Sequence, residues 1–382
     1  MKRIAYAVAS VIVVLAATSQ THAEGTLDPT FSNDGIVTYL TPRNSLGYRS
    51  QMLPGGKIVA ASRGPAFSPY ILRLLPDGTP DPAFGNLGPS SPGRSEITMS
   101  QTEFFGGSHE GFTVSPDGSK IYVAGYGSQT CCGVTQGAIV RLDASGQVDM
   151  SFGAPLTPGY VRFVPNDPYF LASEPDGRIA GLAIHQSLTG PNFTRSIFRI
   201  LPDGSPDSTF ANGGFLTLEP PLSTNELYLD AVVRAPDGSY YVNGEYLQSR
   251  AAILHVTPAG TRDMTFAGGT GIALLDLNVV MRTRLGSLIV LADGKLMVAT
   301  TAQPSAGQFC AIARLNPDGT LDSTFGNGGY QSYDLSAALG GGTANHELLR
   351  RCRAERRAHH RLRQGLANQF HHGAEPGRVV LH

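Results

Sequence analysis

A four-residue pattern, Asp-x-x-Phe, recurs along this chain at intervals of about sixty residues, and this recurrence constrains the fold more than any other feature. The copies are Asp28-Pro-Thr-Phe31, Asp81-Pro-Ala-Phe84, Asp149-Met-Ser-Phe152, Asp207-Ser-Thr-Phe210, Asp263-Met-Thr-Phe266 and Asp322-Ser-Thr-Phe325. A repeat of this length is typical of propellers and solenoids, in which each unit stacks on its neighbours to bury a shared core.

Two glycine-containing turns divide each repeat. The first set is Pro54-Gly-Gly56, Pro116-Asp-Gly118, Pro175-Asp-Gly177, Pro236-Asp-Gly238 and Ala292-Asp-Gly294. The second set is Pro76-Asp-Gly78, Ala144-Ser-Gly146, Pro202-Asp-Gly204, Pro258-Ala-Gly260 and Pro317-Asp-Gly319. Proline presets the first central position of such a turn and glycine supplies the residue with positive φ, so each turn predicts a hairpin.

Short apolar runs flank these turns. Lys120–Ala124 follows a first turn and Ala138–Leu142 precedes a second one, and both are apolar on two faces, as a strand covered on both sides must be. A further strand, such as Gly214–Leu218, follows each Asp-x-x-Phe. The sequence therefore predicts an all-β fold, a β-propeller of four-stranded blades. The six copies of the pattern predict six blades, the last of them incomplete.

A basic residue stands eight positions before the aspartate in five of the units. The pairs are Arg73 and Asp81, Arg141 and Asp149, Arg199 and Asp207, His255 and Asp263, and Arg314 and Asp322. Because the second turn lies midway, hairpin geometry predicts a partly buried cross-strand ion pair in each unit, with a role in register more than in net stability. The alternative is a ring of ligand-binding arginines, which we consider less favoured.

The phenylalanine of each motif is expected to fill the space between neighbouring blades, and its aspartate to cap the tight turn that follows. The phenylalanines assigned this structural role are Phe84, Phe152, Phe210, Phe266 and Phe325.

The complete unit resembles a known family. It reads Ile200-Leu-Pro-Asp-Gly-Ser-Pro-Asp-Ser-Thr-Phe-Ala-Asn-Gly-Gly214 and again Leu315-Asn-Pro-Asp-Gly-Thr-Leu-Asp-Ser-Thr-Phe-Gly-Asn-Gly-Gly329. This pattern resembles the bacterial delta-60 repeat, and the resemblance extends from Leu27 to about Tyr333. It implies an exported β-propeller of undefined activity and brings no catalytic residue with it. Departures occur at Ala144-Ser-Gly146, Pro258-Ala-Gly260 and His255.

The N-terminus has the features of a secretory signal. Lys2 and Arg3 precede an apolar run, Ile4–Ala17, that is short for a membrane span, and Thr21-His22-Ala23 resembles a cleavage site. We expect residues 1–23 to be removed, in preference to a retained anchor, and residues 24–345 to form the propeller. The predicted location is secreted, periplasmic or cell-surface. The balance of 29 Lys+Arg against 30 Asp+Glu argues against a nucleic-acid or membrane-surface partner.

The C-terminal residues 346–382 depart from the repeat and are strongly basic between Leu348 and Gln364. A nucleic-acid arm and a metal-binding tract at His359, His360, His371 and His372 are two interpretations. We favour a third, a reading-frame shift, because an offset reading of these codons can encode Pro-Asn-Asp-Gly-Arg-Ile-Ile where a hairpin is due. A disordered or out-of-frame tail would leave the last blade without its middle hairpin and the edge of the first strand unpaired.

No catalytic or metal-binding motif occurs in the chain, so no catalytic residue, metal site or cofactor is assigned. Cys131 and Cys132 are adjacent, and their oxidation state is left open, as Cys310 and Cys352 are far away in sequence. Any site is expected where long loops converge on one face of the propeller. The acidic candidates there are Glu103, Glu110, Glu219, Glu226 and Asp230, for which solvated loop charge is the simpler interpretation.

The leading hypothesis is an exported, non-enzymatic propeller, a monomer that binds or scaffolds an unknown protein or surface ligand. The alternative is a propeller hydrolase or lyase with loop carboxylates at the channel mouth. At least three carboxylates or histidines converging from different blades would favour the alternative.

Overall fold

The computed structural model describes most of the repeat region and one short C-terminal strand. The described residues are 28, 30–40, 47–63, 69–97, 103–106, 111–129, 135–153, 157–163, 166–186, 193–218, 227–246, 250–275, 287–302, 309–334 and 378–381. Within them the structure is almost wholly β-sheet, with a single-turn 3-10 segment at Phe266–Gly269 and no α-helix.

Five antiparallel sheets follow one another along the chain, and we number them blades 1 to 5. Blade 1 holds β2 (Gly47–Met52), β3 (Ile58–Arg63), β4 (Pro69–Leu74) and β5 (Arg94–Glu96). Blade 2 holds β6 (Glu103–Gly106), β7 (Phe112–Val114), β8 (Lys120–Gln129), β9 (Thr135–Asp143) and β10 (Tyr160–Phe163). Both β6 and β7 pair with β8, so they share the place of one strand.

The next three sheets have the same order. Blade 3 holds β11 (Asn166–Ser173), β12 (Ile179–Gln186), β13 (Phe193–Ile200) and β14 (Phe215–Thr217). Blade 4 holds β15 (Leu227–Arg234), β16 (Tyr240–Tyr246), β17 (Arg250–Val256) and β18 (Ile272–Leu275). Blade 5 holds β19 (Ser287–Val290), β20 (Leu296–Ala302), β21 (Phe309–Leu315) and β22 (Tyr330–Asp334).

The first strands of successive blades lie side by side. β2 contacts β7, β7 contacts β11, β11 contacts β15 and β15 contacts β19. The sheets are therefore arranged radially with their first strands innermost, which is the architecture of a β-propeller. The predicted all-β propeller of four-stranded blades is confirmed.

The hydrophobic core lies between the blades. One cluster joins Leu182 of blade 3 to Val242 of blade 4, and another joins Tyr241 of blade 4 to Val298 of blade 5. Two further clusters lie between blades 1 and 2 and between blades 2 and 3. Because each inner sheet has a neighbour on both faces, its strands are apolar on both faces.

The first strands contain irregularities that the repeat pattern did not predict. The pairing register shifts between Gly47 and Arg49 in β2, between Pro168 and Leu171 in β11, and between Leu229 and Ala231 in β15. Such bulges bend the innermost strands locally.

The N-terminal strand meets the C-terminal tail. β1 (Val37–Leu40), which follows the first Asp-x-x-Phe, pairs antiparallel with β23 (Arg378–Leu381), from Val37 opposite Leu381 to Leu40 opposite Arg378. The backbone edge of β1, which an out-of-frame tail would leave unpaired, is thus paired with a strand of the tail. The number of six blades stays a prediction, because residues 335–377 lie outside the described part of the chain.

Candidate functional site

In the five repeats that have a basic residue eight positions before the aspartate, the two side chains lie in contact. In blades 1, 2, 3 and 5 the arginine Nε is 2.7–2.9 Å from the aspartate Oδ2, in the pairs Arg73–Asp81, Arg141–Asp149, Arg199–Asp207 and Arg314–Asp322. In each pair the aspartate N–H also donates to the arginine carbonyl across the turn. The side chains of Arg199 and Asp207 are almost fully buried, so the pair is shielded from solvent screening.

A second basic side chain contacts the same carboxylate oxygen. The spacing of the motif did not predict this second contact. Lys57, Lys120 and Lys295 place Nζ 2.8, 2.5 and 2.7 Å from the aspartate of their own blade, and Arg178 lies 3.2 Å from Asp207. Lys120 is the first residue of its strand, and each of the other three directly precedes the second strand of its blade, after the first turn. The sequence feature that could have predicted this contact is a basic residue shortly after the first turn in four of the repeats.

The other carboxylate oxygen holds the turn. Asp207 Oδ1 accepts hydrogen bonds from the backbone N–H and the hydroxyl of Thr209, at 3.0 and 2.6 Å. Ser151, Thr265 and Thr324 make the same two contacts in their own blades. Burial alone would raise the pKa of Asp207, but the hydrogen bonds from Thr209, Arg199 and Arg178 outweigh it and lower that pKa to about 2.

The arginine also reaches the next blade. Arg199 Nη1 donates to the Pro258 carbonyl at 2.8 Å, and Arg141 Nη1 donates to the Pro202 carbonyl at 2.5 Å. Arg73 makes the equivalent bond to the Ala144 carbonyl. Its guanidinium lies 4.5 Å from the centre of the Phe84 ring, and the three other arginines stack in the same way.

The phenylalanine packs against the second turn of the following blade. At Gly260 a Cβ would lie 2.8 Å from Phe210 Cδ2, so only glycine fits this contact without a shift. The residue after the phenylalanine donates its N–H to the same turn, as Ala211 does to the Ala259 carbonyl at 2.7 Å. Corresponding N–H bonds run from Ser32 to Asp77, Gly85 to Ser145, Gly153 to Asp203 and Ala267 to Asp318. We call each such set of aspartate, basic residues, phenylalanine and facing turn a latch.

The latch of blade 4 has different residues. His255 replaces the arginine and places Nδ1 2.8 Å from Asp263 Oδ2, while its Nε2 lies 2.9 Å from Ser239 Oγ. Ser239 directly precedes β16, at the position that lysine occupies in blades 1, 2 and 5. The chain of Ser, His and Asp has the distances of a hydrolase triad. Ser239 is only 2% exposed, however, and its hydroxyl also bonds Asp237 Oδ1 at 2.7 Å, so it is not placed as a nucleophile.

A buried carboxylate adds a contact between blades 3 and 4. The Tyr240 hydroxyl donates to Glu174 Oε1, and Arg234 Nε lies 3.3 Å from Glu174 Oε2. Burial is the main reason that the pKa of Tyr240 is raised. Glu174 precedes the first turn of blade 3, where the other blades have Leu53, Ser115, Ala235 and Leu291, and the sequence analysis did not single it out.

The acidic candidates of the loops are mostly outside the described part. Asp230 is half-buried at the register shift of β15, and Glu103 lies in β6. Glu110, Glu219 and Glu226 lie outside the described residues, as do Cys131, Cys132 and Cys352, and Cys310 lies in β21. Among the residues that are described, no group of three or more His, Cys, Asp or Glu could hold a metal ion. Nor does that set include a helix long and apolar enough to cross a bilayer.

Comparison with known families supports a β-propeller repeat family. Residues 54–84, 116–152 and 291–325 match the model described as a domain of unknown function (DUF5122) beta-propeller. These three segments coincide with the latch regions of blades 1, 2 and 5. No curated protein matches the chain.

Several solved structures are similar at low identity. They include a GH43 glycoside hydrolase engineered for endo-xylanase and exo-arabinofuranosidase activity, with 13% identity, a TM-score of 0.36, and coverage of 77% of this chain and 56% of that one. The beta-propeller domain of the Trilobed protease from Pyrococcus furiosus has 10% identity, a TM-score of 0.37, and coverage of 70% and 66%. The polysaccharide lyase Uly1 has 12% identity, a TM-score of 0.39, and coverage of 70% and 57%. The chain spans between about half and two thirds of the length of these three proteins.

Proposed function

We propose that this protein is an exported β-propeller of the delta-60 repeat type that acts as a binding or scaffold module at the cell surface or in the periplasm. The observation that carries this proposal is the use of the repeated charged residues. In each described latch the carboxylate and its basic partners contact one another or the neighbouring blade. The motif that defines the repeat therefore serves the scaffold, and we assign ligand binding to the segments that differ between repeats.

Those segments leave the strands at the end opposite the latches. The second and third strands of blade 4 are joined there between Tyr246 and Arg250, and those of blade 3 between Gln186 and Phe193. The connection from blade 4 to blade 5 runs from Leu275 to Ser287, whereas that from blade 2 to blade 3 runs from Phe163 to Asn166. Fixed turns at one end and variable connections at the other are typical of a scaffold that presents a binding face.

Site-specific photocrosslinking in cells tests this assignment. A photoreactive amino acid at Thr189 or Gln248, within the variable connections, should give a discrete adduct with a partner. The matched controls are Asp77 and Asp203, which are exposed in the turns at the latch end. Adducts from the control positions alone, or from no position, would contradict a binding face formed by the variable connections.

Export is supported by the composition of the N-terminus, with Lys2 and Arg3 before the apolar run Ile4–Ala17. N-terminal sequencing of the protein recovered from the periplasm or medium should begin at Glu24. The control variant Val14→Arg, which interrupts the apolar run, should remain in the cytoplasm with its N-terminus uncleaved. Cytoplasmic recovery of the unaltered protein at full length would contradict export.

A further inference from the structure

Blade 4 carries the one described latch in which the partner of the motif aspartate is a histidine. The bond from the Ala235 N–H to the Ser239 carbonyl corresponds to those from Leu53 to Lys57 and from Ser115 to Lys120. Ser239 and His255 therefore occupy the places of the lysine and the arginine. Asp263 has no lysine or arginine within salt-bridge distance among the residues that the structure describes. Within that part of the chain, His255 is the only basic group in direct contact with this carboxylate.

The hydrogen bonds of this latch depend on how many protons the imidazole carries. Asp237 Oδ1 accepts the Ser239 hydroxyl at 2.7 Å, and it also accepts the Ser239 N–H at 2.9 Å. With the hydroxyl proton directed at Asp237, the 2.9 Å contact between His255 Nε2 and Ser239 Oγ needs a proton on Nε2. The 2.8 Å contact of Nδ1 with the Asp263 carboxylate needs a second proton, on Nδ1. All the contacts are satisfied only when both ring nitrogens carry hydrogen.

A neutral imidazole leaves one contact without a hydrogen. If Nδ1 keeps its proton for Asp263, the Ser239 hydroxyl faces two acceptors, Nε2 and Asp237 Oδ1, and has one proton to donate. Ser239 and His255 are both buried, so water does not readily replace a missing hydrogen bond between them, and the loss weakens the latch.

The side chains around the His255 ring are carboxyl, hydroxyl and aromatic groups. Asp263 faces the ring from the turn after β17, and Asp237 lies in the turn before β16. The Tyr241 ring of β16 stacks on the imidazole at 4.3 Å and 15°, and Phe266 packs nearby at 5.3 Å between ring centres. Hydrogen bonds from Ser239 lower the pKa of Asp237, those from Thr265 lower the pKa of Asp263, and burial raises the pKa of Tyr241. Near neutral pH the two carboxylates are therefore anionic and the phenol is uncharged.

We propose that the blade 4 latch is a proton-dependent joint, complete when His255 is an imidazolium and one hydrogen bond short when the ring is neutral. Histidine is the side chain whose charge changes between about pH 5 and 8. Phe266 and the Ala267 N–H contact the second turn of blade 5. This contact between blades 4 and 5 is then more stable on the acid side of that range than on the alkaline side. The latches that use arginine keep their charge throughout.

Thermal melting of the full chain and of His255→Arg at pH 5.5, 7 and 8.5 tests this joint. The melting temperature of the unaltered protein should fall relative to that of the variant by roughly 2 °C between the lowest and the highest pH. Taking the difference between the two proteins cancels the titration of all other groups. The matched control Arg199→His places a histidine in the blade 3 latch and should introduce a pH dependence of the same sign. A difference that stays constant with pH would overturn the proposal.

Nuclear magnetic resonance of the unaltered protein gives a second readout, independent of whether the variants fold. With 15N-labelled histidine and a His255→Gln sample for assignment, the ring should show both N–H protons at pH 5.5 and lose one as the pH rises to 8.5. A ring with a single N–H at pH 5.5 would refute the proton-dependent joint.

Discussion

Asn243 is a buried side chain with no hydrogen-bond partner among the residues that the structure describes. It lies in β16 with no exposed surface, and neither its Nδ2 nor its Oδ1 makes a hydrogen bond within the described part of the chain. An amide in this state has lost its hydration without replacement, which destabilises the fold. We expect Asn243→Leu, which keeps the branching and removes both polar atoms, to raise the free energy of unfolding by about 1 kcal/mol. Chemical denaturation monitored by circular dichroism measures the change.

The control for this substitution is Asn86→Leu. Asn86 donates to the Glu96 carbonyl at 2.8 Å and accepts from the Glu96 N–H at 2.9 Å, so its replacement should destabilise the protein. Equal losses of stability at the two positions would contradict the view that the Asn243 amide is unsatisfied.

Asp207 links the latch to acid stability. The pKa of this carboxyl is lowered to about 2 in the folded protein, whereas an aspartate in an unfolded chain titrates near about 3.9. The stabilisation it contributes is therefore complete above about pH 5 and is lost as the pH falls from about 4 towards 2. The difference in stability between the unaltered protein and Asp207→Asn should be constant from pH 5 to 7 and shrink below pH 4. Denaturation curves at fixed intervals of pH would show this, and a difference that grows on acidification would be incompatible with the lowered pKa.

At the scale of the turn, glycine at the second turn of a blade does more than permit positive φ. Gly260 and Gly55 have the same φ of +81°, but a Cβ at Gly260 would meet Phe210 and Ala211 within 3 Å, whereas nothing lies within 4 Å at Gly55. Gly55→Ala should therefore cost only backbone strain, about 1 kcal/mol. We expect Gly260→Ala to cost roughly 2 kcal/mol or more, because it also displaces the blade 3 phenylalanine. Comparable melting temperatures for the two variants would show that the turn does not press on the neighbouring blade.

The elements differ in how far they could be predicted from the sequence. Strands such as β8 and β12 were predictable because each follows a proline–glycine turn and is apolar on both faces, which reflects local geometry and burial together. The bond from Arg199 to the Pro258 carbonyl joins residues of two repeats, and its existence depends on how the sheets stack, so spacing within one repeat does not predict it. The same holds for the bulge at Asp230, which interrupts a run of apolar residues without any glycine or proline to mark it.

At the scale of the whole molecule, successive blades are joined by a repeated contact between the motif phenylalanine of one blade and the second turn of the next. The latches of blades 1 to 4 each connect one blade to the next through a phenylalanine and a backbone N–H, and those of blades 1 to 3 also do so through an arginine. Stability in such an array is approximately the sum of each unit and its nearest-neighbour interfaces. The replacement of one latch pair by His255 and Ser239 therefore changes the interface between blades 4 and 5 without altering the architecture.

The pairing of β1 with β23 ties the two ends of the chain together in one sheet. The N-terminal unit also contacts blade 1, since the Ser32 N–H bonds the Asp77 carbonyl at 2.8 Å and a Cβ at Gly78 would meet the Phe31 ring. Removing residues 378–382 should deprive β1 of its backbone partners and expose a strand edge. Hydrogen exchange followed by mass spectrometry should then show faster exchange for Val37–Leu40 and unchanged exchange for β12 and β16 at the centre of the array. Exchange in β1 that is the same with and without these residues would mean that another part of the chain protects this strand.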